Sequence, residues 1–218
     1  MAKSSGGTRG AAGGAGMGSR SRMVGDASMR GMSAKLQAAL KDREDTMRIN
    51  DMFEMGAVFD EKGNMIFKNN RGMGSSVELG NDLKDRIVTH SHPSTDRLNT
   101  DVTLSPDDMY FAAYNNVKEM RAVTRHYTYS LKRPTKGWGV KSTDAGLAHM
   151  KATYEKAYAK VFESHKKYVE NYKGDLSQAS YRSHRLIEHQ VNKEFAKMMG
   201  WKYTKTRVTN KKFPTLGA

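Results

Sequence analysis

Residues 86–108, RIVTHSHPSTDRLNTDVTLSPDD, predict a strand, a polar loop and the start of a helix, with two histidines and an acidic pair among them. The apolar residues near the start of this stretch predict a short buried strand that ends at Pro93, because proline cannot donate a hydrogen bond to a neighbouring strand. Side chains two residues apart in a strand share a face, so His90 and His92 are expected to project together. After a polar loop, Ser105 as N-cap, followed by proline and two acidic residues, predicts the start of a helix.

Asp108, in the first turn of that predicted helix, completes a candidate metal site. Two histidines on one face and a carboxylate are the ligand set of an open zinc site. Each half also has a purely structural explanation. A His-x-His pair is often two polar residues at a sheet end, and Ser105 with Asp108 fits a capping box, which needs no metal. The two halves together, in the order strand, loop and helix, favour the metal site.

These residues resemble the motif of the JAB/MPN (JAMM) metalloproteases, in which a His-x-His-Pro strand end is followed by Ser-x-x-Asp. The resemblance implies that His90, His92 and Asp108 bind a zinc ion (Zn2+), and that Ser105 helps to stabilise a tetrahedral intermediate. The chain departs from the motif in the twelve residues 93–104, a longer loop than the family's. Such an insertion is compatible with metal binding and would change, or block, access of the substrate.

The resemblance covers roughly residues 51–134, and the stretch EMRAVTRHYTYSLKRP at residues 119–134 is similar to versions of the domain that bacteriophages encode. It implies a zinc-dependent peptidase or isopeptidase that acts on a protein or peptide, in the cytoplasm of the host cell or in the virion. The alternative is a phage virion protein or a nucleic-acid-associated binding protein that keeps the fold without catalysis. The basic charge and the long loop favour that alternative over an optimised enzyme.

A zinc peptidase needs a carboxylate that takes a proton from water and passes it to the leaving amine. Glu54 is the candidate, because it stands between the first predicted helix and the first hairpin strand, where JAB/MPN enzymes place their catalytic glutamate. Glu61 and Glu78 are the alternatives, since nothing in the sequence brings any of the three beside His90. An exposed glutamate before a strand is the structural explanation for Glu54.

Hydrophobic periodicity predicts an α+β fold, similar to an α/β sandwich, in which a small mixed sheet has flanking helices. Ser33 is the expected N-cap of a helix that runs to about Phe53, and the turn at residues 60–63 joins the two strands of a hairpin. Residues 77–79 are expected to add a short strand, and residues 119–132 a strand pair.

The last third of the chain is predicted to be a helical hairpin, with a break at residues 173–175 and a second helix at about residues 177–199. By prediction the chain therefore has three parts. Residues 1–31 form a disordered tail rich in Gly, Ser and Arg, residues 32–140 form the JAB/MPN-like domain, and residues 141–218 form a helical extension with a basic tail.

Composition narrows the class of protein. The 218 residues contain no cysteine, which excludes disulfides and thiolate metal sites and fits a reducing compartment such as the cytoplasm. A formal net charge of +14 implies attraction to nucleic acid or to other acidic surfaces. Trp201 and Tyr203 alternate with basic residues, a weak signature of single-stranded nucleic-acid binding; anchoring of the helix end is the alternative. No apolar run approaches the roughly 20 residues of a membrane span, so no membrane partner is expected.

Overall fold

The structure, a computed structural model, describes residues 27–50, 52–73, 76–93, 102–170 and 176–208. The elements are, in chain order, a short 3-10 helix (Ala27–Met29), α1 (Ala34–Arg48), β1 (Gly56–Phe59), β2 (Met65–Asn69), β3 (Ile87–Ser91), α2 (Pro106–Tyr114), β4 (Glu119–Val123), β5 (Tyr127–Lys132), α3 (Asp144–Glu170), α4 (Leu176–Met199) and β6 (Lys202–Arg207). Most of the predicted tail, residues 1–26, and most of the loop after His92, residues 94–101, lie outside the described residues.

One mixed sheet of six strands has the order β2-β1-β3-β4-β5-β6. Strands β3 and β4 are parallel, and the other neighbouring pairs are antiparallel. Parallel neighbours need a crossover connection, and α2 lies in the connection between β3 and β4. The predicted α+β fold is confirmed. The crossover leaves the end of β3, where α2 begins, and passes through α2 to β4.

Helices cover both faces of the sheet. All residues of β1, β3 and β4 are buried, as expected for strands between two apolar layers. On the face that we call the α1 face, Leu36, Leu40 and Met47 pack in a cluster with Ile87. The opposite face, the α2 face, carries a larger cluster to which α2, α3 and α4 all contribute. In the described part of the chain no helix has an apolar stretch that would let it span a bilayer.

Three local predictions were wrong. The first helix ends at Arg48 rather than near Phe53. Beyond its end the chain turns, and Asn50 donates from Nδ2 to the Phe53 carbonyl. Residues 77–79 form no strand. Residues 202–207, predicted as part of the basic tail, form β6, an edge strand antiparallel to β5, and residues 209–218 of that tail lie outside the described residues. The sequence of β6, KYTKTR, lacks the alternation of apolar and polar residues that predicts a strand. An edge strand can do without this alternation, because it tolerates exposed lysine and arginine.

The aromatic residues that follow α4 belong to the core. Trp201 is buried, its ring centroid lies 4.8 Å from that of Trp138 in an edge-on contact, and its indole N–H donates to the Trp138 carbonyl at 2.8 Å. Tyr203 packs against the same cluster. Lys205 places its ammonium 4.0 Å from the centre of the Tyr127 ring. Packing at the helix end therefore accounts for both aromatic residues without a nucleic-acid role.

His189 of α4 makes stability sensitive to pH. Its Nδ1 lies 3.0 Å from the Tyr203 hydroxyl, and burial, with the charges of Lys205 and Lys193, lowers its pKa to about 4. The unfolded chain has the ordinary histidine pKa of about 6.5. Between these two pH values only the unfolded chain binds the proton, so the free energy of unfolding decreases as the pH falls through that window.

We expect the His189→Gln variant to lose less stability than the wild-type protein on acidification. Glutamine does not titrate, so the loss between about pH 7 and about pH 4 should be smaller by about 2 kcal/mol, a figure reduced to allow for the partial exposure of the ring. Urea unfolding of both proteins at the two pH values, in the presence of a chelator, measures the difference. Equal losses would contradict the neutral state of His189.

Candidate metal centre

The predicted ligands lie where β3 ends and α2 begins. His90 pairs with Gly56 of β1 on one side and with Ala122 of β4 on the other, and it is only 3% exposed. His92, just beyond the end of β3, donates its backbone N–H to the Val123 carbonyl at 2.9 Å. Both imidazoles therefore project from backbone that is held by neighbouring strands.

The side chains of His90, His92 and Asp108 converge. His90 Nε2 lies 2.9 Å from His92 Nε2 and 3.2 Å from Asp108 Oδ1, and His92 Nε2 lies 3.5 Å from Asp108 Oδ2. Ligand atoms about 2 Å from one ion lie roughly 3 to 4 Å from each other. The three residues are therefore close enough to hold a metal ion, as the sequence predicted, and they form the one such group found among the described residues.

The hydrogen-bond pattern of the two histidines fits a cation between them. His92 Nδ1 lies 3.1 Å from the Val102 carbonyl oxygen, which can only accept, so the neutral ring carries its proton there and leaves a lone pair on Nε2. His90 Nε2 faces that lone pair, while His90 Nδ1 is buried without a hydrogen-bond partner in the described structure. Two neutral histidines can share one proton, whereas a cation can be bound by both nitrogens and by the carboxylate of Asp108. The donor set thus fits a divalent metal ion.

The capping explanation of Asp108 holds at the same time. Ser105 Oγ accepts from the Asp108 backbone N–H at 3.0 Å, and Asp108 Oδ2 accepts from the Ser105 backbone N–H at 2.7 Å, which is a complete capping box. The two interpretations of the sequence are therefore not exclusive. The cap fixes the carboxylate at the helix start, where it also faces the histidines.

Without a metal, Asp108 and His92 stabilise each other's charged forms. Burial alone would raise the pKa of Asp108, but the charges and hydrogen bonds of His90 and His92 outweigh it and hold this pKa well below its usual range. Burial alone would lower the pKa of His92, but the hydrogen bond and charge of Asp108 raise it. A metal ion must therefore displace protons from the site in order to bind.

Glu54 lies beside the same three residues. In the antiparallel register of β1 and β3, Gly56 pairs with His90, so Glu54, two residues before Gly56, stands opposite His92. Its side chain is buried, and this burial raises its pKa against the opposing charges of the two histidines, with Asp108 adding to the rise. The predicted general base is thus close to the predicted ligands.

The two alternative bases lie elsewhere. Glu61 is at the surface, where it pairs with Lys118. Glu78 is exposed and is not among the residues that line the cavity at the histidines, whereas Glu54 is. Of the three glutamates that the sequence left open, the structure brings Glu54 alone to the metal centre.

An open cavity of about 570 Å³ gives access to the centre. It is lined by Glu54, Ser76, Val77, Leu79, His90, His92, Pro93, Val102, Ser105, Asp107, Asp108, Phe111 and Met120. Within the described structure this lining combines acidic and apolar side chains with the two histidines and includes no lysine or arginine, although the chain has 37 of them. Among the described residues, the basic side chains of the protein therefore lie outside this cavity.

Two contributions to the centre have no signal in the sequence. Val102 supplies only its backbone carbonyl, so its residue type carries no information. Gly56 leaves room for Leu79 opposite His90: a Cβ at this position would lie 2.6 Å from Leu79 Cδ2, which would have to move. Val77 and Leu79, in the segment predicted as a strand, instead lie over this glycine and form part of the cavity wall.

Comparison with known proteins identifies no relative: no protein-family model, no curated protein and no solved structure matches the chain significantly. The resemblance to JAB/MPN metalloproteases therefore stays a prediction from the motif. The convergence of His90, His92 and Asp108 does not depend on that resemblance, because it is observed in the chain's own residues.

Proposed function

We propose that the protein is a zinc-dependent peptidase or isopeptidase of the JAB/MPN type, encoded by a bacteriophage and active on a protein or peptide. One observation carries this proposal: the two imidazoles, the carboxylate of Asp108 and the carboxyl group of Glu54 meet in one accessible cavity. Two nitrogen ligands and one oxygen ligand with an open side are the ligand set of catalytic zinc sites.

Each residue has a separate role in peptide-bond cleavage. His90, His92 and Asp108 would hold the zinc ion, which supplies Lewis-acid chemistry by lowering the pKa of water and polarising a carbonyl group. Glu54 takes the proton from the attacking water and delivers it to the leaving nitrogen. Ser105 Oγ accepts the Asp108 N–H, and its own O–H can donate to the oxyanion that develops on the substrate.

The charge of the cavity favours an amide over a phosphodiester substrate. A phosphodiester brings negative charge, and sites for it supply arginine, lysine or further metal ions. Here Glu54, Asp107 and Asp108 line the cavity, and no basic residue among the described ones joins them. A neutral peptide carbonyl meets no such repulsion.

A binding protein without catalysis is the second candidate, favoured by the net charge of +14. Lys202, Lys205 and Arg207 are exposed on the edge strand β6, where they can contact an acidic partner such as nucleic acid. This surface is compatible with either function. The role of Glu54 separates them, because a binding protein has no use for a proton acceptor beside its metal.

We expect Glu54→Gln to abolish peptide hydrolysis without removing the metal. The amide keeps the shape of the side chain but cannot accept the proton, so the rate should fall by a factor of at least about 100. The measurement uses zinc-loaded protein and a library of fluorescence-quenched peptides, with zinc content determined in parallel. Glu78→Gln, the same change at an exposed position outside the cavity, is the matched control and should retain full activity. Unchanged cleavage by Glu54→Gln would refute the proposed mechanism, and absence of cleavage by the zinc-loaded wild-type protein would favour the binding protein.

A further inference from the structure

Residues 102–104 connect two parts of the metal centre. The Val102 carbonyl lies 3.1 Å from His92 Nδ1 and so orients that imidazole. Ser105, which follows directly, caps the helix that carries Asp108. Two of the three candidate ligands therefore depend on where this short segment lies. The segment is tightly buried at Thr103 and Leu104, which are 4% and 1% exposed.

Asn192 of α4 holds this segment from the far end of the chain. It is completely buried, and its side-chain amide donates to Leu104 O at 2.7 Å and to Thr103 Oγ1 at 3.1 Å. Its Oδ1 accepts from the Tyr154 hydroxyl of α3 at 3.3 Å. Both N–H donors and the oxygen acceptor of the amide are thus used. These hydrogen bonds fix the orientation of the Asn192 side chain, which connects α3 and α4 to residues 103 and 104.

Tyr203 of β6 continues the same network. Its hydroxyl lies 2.6 Å from Thr103 Oγ1 and 3.0 Å from His189 Nδ1. The low pKa of His189, about 4, keeps this ring neutral near neutral pH, so that Nδ1 can accept. The hydrogen bonds are then all donated in one direction: Asn192 donates to Thr103, Thr103 donates to Tyr203, and Tyr203 donates to His189. The chain of donors and acceptors is complete and leaves Thr103 with both of its partners satisfied.

We propose that Asn192 and Tyr203 are positioning residues of the metal centre, which act through Thr103 and Leu104 on the Val102 carbonyl and on the helix start at Asp108. The helices α3 and α4 and the strand β6 are then part of the scaffold of the site. Groups that orient metal ligands contribute to metal affinity although they do not touch the metal. This inference rests on the metal site of the proposed function and does not depend on peptidase activity.

The test compares Thr103→Val with Thr103→Ser. Valine has nearly the shape of threonine but lacks the hydroxyl, so it breaks the link between Asn192 and Tyr203; serine keeps the hydroxyl and should rescue. We expect Thr103→Val to bind Zn2+ about tenfold more weakly, in line with the 10- to 100-fold typical of residues that orient ligands. Its Co2+ complex should show a changed visible absorption spectrum, because the ligand geometry changes.

Two further variants keep the test decisive. Tyr203→Phe removes the hydroxyl that lies between Thr103 and His189 in the same network, and it should also weaken Zn2+ binding. It provides the test if Thr103→Val folds poorly. Ser130→Ala removes a buried hydroxyl that donates to Glu119 Oε1 at 2.7 Å on the α1 face. It controls for a general loss of stability, and its Zn2+ affinity and Co2+ spectrum should equal those of the wild-type protein.

The outcomes separate this inference from the proposed function. Wild-type affinity and an unchanged Co2+ spectrum in folded Thr103→Val and Tyr203→Phe would overturn it, as would an equal loss in Ser130→Ala. A wild-type protein that binds Zn2+ but cleaves no peptide would refute the peptidase and leave the positioning role intact. A wild-type protein that binds neither Zn2+ nor Co2+ would overturn both.

Discussion

Replacing His90 with alanine should abolish stoichiometric zinc binding. The ring contributes the nitrogen that lies 2.9 Å from His92 Nε2 and 3.2 Å from Asp108 Oδ1, so its loss leaves two ligands where three converge. Structural zinc sites bind with about 10–16 kcal/mol, so one ligand of three or four contributes roughly 3–4 kcal/mol, which corresponds to a loss of affinity of several hundredfold. Zinc content measured by plasma emission after dialysis, with about one ion expected in the wild-type protein, tests this.

His149→Ala is the matched control, because His149 is exposed on α3 and does not belong to the group of converging ligands. It should retain the zinc content of the wild-type protein. Equal zinc content in wild type and His90→Ala would show that the metal, if bound, is held somewhere other than at the end of β3.

Asp108→Asn distinguishes the two roles of the same carboxylate. The amide oxygen can still accept from the Ser105 N–H, now at 2.7 Å from Asp108 Oδ2, so the cap survives and the loss of stability should be about 1 kcal/mol or less. The negative charge is lost, however, and with it much of the attraction for a divalent cation. A variant that folds normally but does not retain zinc is the expected result. Wild-type zinc content in both His90→Ala and Asp108→Asn would exclude the metal site and with it the peptidase.

The convergence of the three candidate ligands was predictable because each is placed by a local rule. The period of two in a strand puts His90 and His92 on one face, and the cap signature starting at Ser105 puts Asp108 in the first helical turn. Glu54 was predictable only as one of three candidates, since the sequence does not give the register of β1 on β3. That register depends on packing of both strands in the sheet, which is not local in sequence.

The support of the site was not predictable from the sequence. Asn192 bonds to Leu104 over a separation of 88 residues, and a buried asparagine in a helix has the same local pattern as an exposed one. β6 was missed because Lys202, Lys205 and Arg207 are all exposed, so that the segment has the composition of a basic tail. Contacts of this kind follow from the fold as a whole, so they become visible only after the sheet order is known.

Arg121→Met should destabilise the fold by about 3–5 kcal/mol, the range for breaking a buried ion pair. Arg121 is completely buried on β4. Its guanidinium contacts Glu44 at 2.6 and 3.2 Å and Glu119 at 2.7 Å. Methionine fills most of the volume but leaves two buried carboxylates without this partner. Lys132, 3.3 Å from Glu119, and Arg48, 3.8 Å from Glu44, remain and compensate only in part, because neither makes the close contacts of Arg121.

Urea unfolding measures this loss, and Lys41→Met is the matched control. Lys41 pairs with Asp45 at 2.5 Å, but its side chain is 69% exposed, and exposed pairs contribute less than about 1 kcal/mol. A loss in Arg121→Met as small as that in Lys41→Met would mean that the buried charges are not held as the structure places them.

The same variant tests whether the two faces of the sheet are independent. Arg121 pairs with Thr89, and the next residue, Ala122, pairs with His90. Because successive side chains in a strand point to opposite faces, Arg121 and His90 lie on opposite faces of the sheet. Arg121 contacts Glu44 of α1 on the α1 face, whereas His90 faces the cavity and α2. We therefore expect Arg121→Met, under conditions in which it stays folded, to bind zinc with the affinity of the wild-type protein. A parallel loss of stability and zinc affinity would show instead that the charge cluster on the α1 face also sets the position of the ligands, through the backbone of β3.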